Sequence, residues 1–147
     1  MSTGRGAASI QRGIDNGIGV FRVGGVVTPE AAAAAMRDNR DWLFRGRMPA
    51  QIVCYESADM RITPAQMAAA VGAAARAAEG VACFTPTAVV VEADLLPAWR
   101  PYCWMMAQAG AASAVFASMR QARHWATEAA ALWAAQRRHR QHVRSLR

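Results

Sequence analysis

The chain has 147 residues and 54% hydrophobic content, enough for one domain with a buried core and too apolar for a disordered segment. Its formal charge of +7 is a property of the ends. Residues 13–135 hold ten arginines and all ten acids, so the body is neutral and a basic nucleic-acid-binding face is excluded. No run approaches the ~20 apolar residues of a membrane span, and MSTGRGAASIQRG lacks the apolar centre of a secretory leader, so a cytoplasmic protein is expected.

Residues 1–7 are small and polar and are expected to fray. Two apolar stretches, 8–13 and 18–23, flank Asp15-Asn16-Gly17. Asn-Gly between apolar runs predicts a tight hairpin, because both central turn positions need a positive φ. In the second strand Val20 and Arg22 face one side and Phe21 and Val23 the other. Gly24-Gly25 reads as the break that ends it.

Thr28-Pro29-Glu30 opens a helix, with threonine as N-cap and proline where its missing amide costs nothing. The pattern carries it to about Phe44, with Ala32, Met36 and Leu43 on its apolar face and Arg37 and Asp41 spaced as an ion pair. After a loop at 45–49, AQIVCY (50–55) predicts an interior strand and Glu56 to Arg61 a connection. Thr63 and Gln66 form a capping box for a helix whose stripe is Met67, Val71, Ala74 and Ala78 and whose stop is Gly80.

Residues 87–91 predict a further buried strand, followed by an acidic turn at Glu92 and Asp94. Pro97 and Pro101 cannot lie inside a regular helix, so a short turn precedes a helix from near Arg100 to Ala109. Gly110 ends it, and residues 113–116 make a last short strand. A final helix starts near Ser118, its apolar stripe running through Met119, Ala122, Ala126, Ala129 and Trp133 and widened by Trp125 and Leu132. We place one domain over 8–135 and a basic tail over 136–147.

The order of elements resembles the STAS family, the sulfate-transporter and anti-sigma-factor-antagonist fold, and in particular its small stand-alone bacterial members. The likeness is carried by Phe21 to Gly25 with Val27-Thr28 and a helix, by Ile52 to Tyr55, by Val89 to Val91, and by Gly110 to Trp125 with Phe116 and Ala122. It implies an α/β fold: a mixed four- to five-stranded sheet with an N-terminal hairpin, packed by about four helices. It also implies a non-enzymatic regulatory or protein-interaction module; some members bind a nucleotide or another small ligand. In the antagonist branch a serine at a helix start is phosphorylated. The corresponding residue is Ser57, within Glu56-Ser57-Ala58-Asp59, which lacks the family's glycine.

Glu92 and Asp94 follow a strand whose carboxyl end faces the crevice where open α/β sheets bind ligands. With Glu56, Ser57 and Trp99 they form the expected ligand or partner rim. His124 falls on the polar side of the last helix, and nothing in the sequence brings it to Cys103. Cys54, Cys83 and Cys103 lie in apolar contexts without zinc or disulfide spacing, so buried thiols are expected. His139 and His142 are the only paired metal-type ligands, and two in a tail make no site. No phosphate-loop, dinucleotide, HExxH or EF-hand pattern is present.

No catalytic residue, cofactor or metal is therefore expected. The expected partner is a protein, with a homodimer left open. Two alternatives stand beside this reading. One is a small-molecule binder, nucleotide or lipid-like, with a pocket near the Trp99–Met106 helix. The other is a contact to nucleic acid or another anion through Arg137, Arg138 and Arg140, disfavoured because no aromatic side chains interleave to stack on bases.

Overall fold

A computed structural model describes residues 6–38, 48–77 and 85–146. Strands β1 (Ser9–Asp15) and β2 (Ile18–Val27) form the predicted hairpin, with Asn16 at φ 52° and Gly17 at φ 80° in its turn. They are followed by α1 (Pro29–Asp38), β3 (Gln51–Met60), α2 (Pro64–Ala77), β4 (Thr87–Val90), α3 (Leu96–Trp99), α4 (Pro101–Gln108), β5 (Ser113–Phe116) and α5 (Met119–Ser145). The strands lie in sequence order in one mixed sheet, antiparallel at β1–β2 and parallel from β2 to β5. This is the α/β architecture the sequence predicts.

Sequential parallel strands joined by crossovers of one hand put every connecting helix on one face. The core divides accordingly. One buried cluster joins Val23, Val89 and Val91 of the sheet region to Ala32 of α1, Met67 of α2, Trp99 of α3 and Tyr102 and Met106 of α4. The other joins Ile18, Ile52, Cys54 and Val90 to Ala122 and Ala126 of α5, which among the described helices alone covers the opposite face. Phe116 and Trp125 lock α5 to β5, their rings 6.4 Å apart and tilted by 53°. Among the described residues no helix is long and apolar enough to cross a membrane.

The predicted caps are formed. Thr28 Oγ1 accepts from the Ala31 amide at 3.1 Å. Thr63 and Gln66 bond reciprocally at 3.1 and 2.9 Å, and Ser118 Oγ accepts from the Gln121 amide at 3.4 Å. The two prolines split their segment into α3 and α4, each with proline in its first turn.

Two boundaries differ from expectation. Gly24-Gly25 does not break β2: a register shift between Arg22 and Gly24 absorbs the irregularity, and pairing with β3 continues to Val27 and Met60. Gly25 holds φ +79° there, and a Cβ on it would lie 2.5 Å from the Ala7 carbonyl oxygen. Residues 56–60 consequently belong to β3 and are not a connection. The expected helix end near Phe44 with Leu43, the Arg37–Asp41 pair, most of the 45–49 loop, the Gly80 stop and Cys83 lie outside the described residues.

Candidate functional site

α1 packs on the sheet through alanines. Pro29-Glu30 is followed by five of them, good helix formers that reach only one carbon from the backbone. They cannot fill the space between the helix and Ile10, Phe21, Val23 and Val53. A cavity of about 450 Å³ remains, walled also by Ala31, Ala35, Met36, Tyr55 and Met67, with Arg12 and Asp38 as its charged members. Ligand pockets occupy this size range and are mostly apolar with a few placed polar groups.

A second, smaller cavity of about 70 Å³ lies deeper on the same face of the sheet and shares Met36, Gln51, Val53, Tyr55 and Met67 with the first. Its floor is a polar rung. Gln51, Thr87 and Ser113 open β3, β4 and β5 and are direct partners in register. Gln51, only 2% exposed, donates through Nε2 to Thr87 Oγ1 at 2.9 Å. Thr87 in turn donates to the Thr85 carbonyl oxygen at 2.8 Å. Ser113 Oγ is buried with no hydrogen-bond partner. The next rung on this face, Val53–Val89–Val115, is apolar.

Tyr55 and Tyr102 also line the inner cavity. Burial pushes both phenols well above their ordinary range, and for Tyr102 the neighbouring Tyr55 adds to the effect. Both therefore stand as neutral hydroxyls. The lining as a whole can hold and orient a molecule through apolar contact, one amide and several hydroxyls.

The sequence-predicted rim lies elsewhere. Glu56, Ser57, Glu92 and Asp94 are exposed at the carboxyl end of the parallel strands, and none of them lines either cavity. Ser57 sits inside β3 opposite Gly24, so its expected place in the connection after the strand is corrected: the strand runs three residues past it. Trp99 is 3% exposed and packs on Tyr102 with ring centroids 5.6 Å apart, which makes it a core residue and removes it from the exposed rim. The expected pocket near Trp99–Met106 coincides only with the inner cavity, through Tyr102 and Met106; the larger chamber lies under α1.

His124 is exposed and lies 3.2 Å from Glu128. Burial raises the Cys54 thiol, and Cys103 is partly buried. Among the described residues no group of three His, Cys, Asp or Glu side chains could hold a metal ion. Arg137, Arg138 and Arg140 lie on the far end of α5, which continues helical to Ser145 with residues 135–146 all exposed. The Arg137 guanidinium lies over the Trp133 ring at 5.2 Å.

No family model and no curated protein matches the chain. Solved structures similar to it include the following two. One is an anti-sigma factor antagonist from Mycobacterium paratuberculosis, with 13% identity, a TM-score of 0.46, and coverage of 82% of this chain and 94% of the other. The second is an uncharacterised protein of the DUF3478 family with a SpoIIAA-like fold from Shewanella loihica PV-4, with 16% identity, a TM-score of 0.49, and coverage of 86% and 98%.

Proposed function

We propose that this protein is a non-catalytic regulatory module that binds a small, largely apolar molecule between α1 and the sheet. The observation that carries the reading is the cavity of about 450 Å³, whose walls are alanine, valine, isoleucine, methionine and aromatic side chains. The adjoining inner cavity offers hydroxyls and an amide, groups suited to holding a ligand. Binding there would order α1 against β1–β3, and a module of this kind signals by the change in that helix.

The test is titration of the full chain with N-phenyl-1-naphthylamine, a neutral probe that fluoresces in apolar surroundings. Saturable binding is expected at one site. The double variant Ala31→Leu, Ala35→Leu places leucines in the chamber on a helix that favours them. It should abolish the signal while keeping a cooperative thermal transition. Equal binding by the filled variant would sink the reading.

A second reading, docking of a protein partner, is favoured by the overhanging end of α5. Leu132, Val143 and Leu146 are exposed there beside Arg137, Arg138, Arg140 and Arg144, and no acid follows Glu128 on the helix. An apolar and basic helix face suits an acidic amphipathic partner better than a phosphate backbone, which gains nothing from leucine.

A further inference from the structure

The polar rung at the sheet's starting edge tells more about the ligand than the apolar chamber does. Buried polar groups are almost always hydrogen-bonded, and an orphan calls for an explanation. Here Ser113 Oγ is an orphan at the floor of the inner cavity. Gln51 commits its amide nitrogen to Thr87 and lines the same space. The Tyr55 and Tyr102 hydroxyls border the same space. Donors and acceptors thus converge on a volume of about 70 Å³, enough for one small head group. It adjoins the apolar chamber, with which it shares Met36, Val53 and Met67 as lining.

No charged side chain lines the inner cavity among the described residues. A carboxylate or ammonium placed there would lose its hydration with no counter-ion in return, a cost far above that of a hydroxyl or amide. Both charged residues of the site, Arg12 and Asp38, belong to the outer chamber.

We propose that the cavity binds an uncharged amphiphile, its hydroxyl or amide head on the Gln51–Thr87–Ser113 rung and its apolar chain in the chamber under α1. This rests on the small-molecule reading above and adds the class of ligand and its orientation.

The experiment is calorimetric titration of the full chain with decan-1-ol and with decanoate. At pH 7.5 the alcohol binds and the carboxylate does not compete at equal concentration. As pH falls toward the acid's own pKa, decanoate gains affinity by about tenfold per unit, because only its neutral form enters. Ser113→Ala, which removes one hydroxyl without adding bulk, weakens the alcohol roughly three- to tenfold, the worth of a lost hydrogen bond. The same variant leaves N-phenyl-1-naphthylamine, which has no hydroxyl head, unchanged. Gln51→Leu gives a second measure of the same rung.

Decanoate binding as tightly as decanol at pH 7.5 would overturn the neutral-head assignment. So would decanol affinity unchanged in both Ser113→Ala and Gln51→Leu, the result expected if the rung meets only water. In either case, retained binding of the naphthylamine probe would leave the small-molecule reading standing. Loss of probe binding by the unaltered chain would remove both.

Discussion

Gln51 Nε2 lies 2.9 Å from Thr87 Oγ1, a bond between two side chains on neighbouring parallel strands at the level where β3 and β4 begin. The third member of that level, Ser113, is left without a partner. The rung is therefore satisfied at one end and open at the other, and the open end lies in a cavity.

The unpartnered hydroxyl makes a prediction about stability. Removing an unsatisfied buried polar group should help the folded state. Ser113→Ala is expected to raise the unfolding free energy of the ligand-free chain by about 1 kcal/mol while weakening an alcohol ligand. Urea denaturation with and without decan-1-ol measures both. A fall in stability of the ligand-free variant would show that the hydroxyl is satisfied in solution.

Gly25 is held at φ +79° with the Ala7 carbonyl oxygen 2.5 Å from where a Cβ would stand. Gly25→Ala should cost about 2 kcal/mol or more, since the left-handed backbone and a backbone contact are both violated. The Val26 amide, which donates to the Gly6 carbonyl at 3.1 Å, should lose protection against hydrogen exchange first.

The Thr63–Gln66 capping box fixes the start of α2 with two bonds. Thr63→Ala should destabilise the chain by about 1 kcal/mol. Gln66→Ala made in that background should cost less than in the unaltered chain, because the two bonds form as a unit. A double-mutant cycle in urea reads the coupling; full additivity would contradict it.

Tyr55 and Tyr102 are the only tyrosines, and burial raises both pKa values. A phenol whose folded pKa lies above its unfolded value keeps its contribution below the unfolded pKa and loses it as pH climbs toward the folded one. Stability should hold up to about pH 10, the unfolded tyrosine value, and then fall by up to about 2.7 kcal/mol per pH unit for the pair. Phenolate absorbance should appear together with loss of circular dichroism. Phenolate formed in a still-folded chain would contradict the burial of both rings.

Much of the fold was legible because its signals are local. Asn16-Gly17, the Thr-Pro helix starts and the paired prolines each state a backbone requirement, and each element formed where it was expected. Gly24-Gly25 misled because a glycine pair reads equally as a strand end or as a bulge. Only contact with residues Gly6 and Ala7, distant in sequence, decides between them. Taking β2 as ended there also shortened β3, and so put Ser57 in a loop. The cavity was not legible. Its walls come from β1, β2, β3, α1 and α2, and an alanine-rich helix looks like ordinary packing until its distance from the sheet is known. One signal was available: a glutamine opening a buried strand, in register with a threonine and a serine that open the next two.

The proposed function requires that a small apolar molecule enter the chamber under α1. The most direct measurement is a methyl-resolved NMR titration of the full chain, labelled at its methionine methyl groups, with decan-1-ol. Met36 and Met67 line the chamber, whereas Met119 packs on the opposite face of the sheet. The account predicts saturable shifts at Met36 and Met67 with Met119 unmoved. Shifts confined to Met119, or no saturable shift at Met36 and Met67, would contradict it.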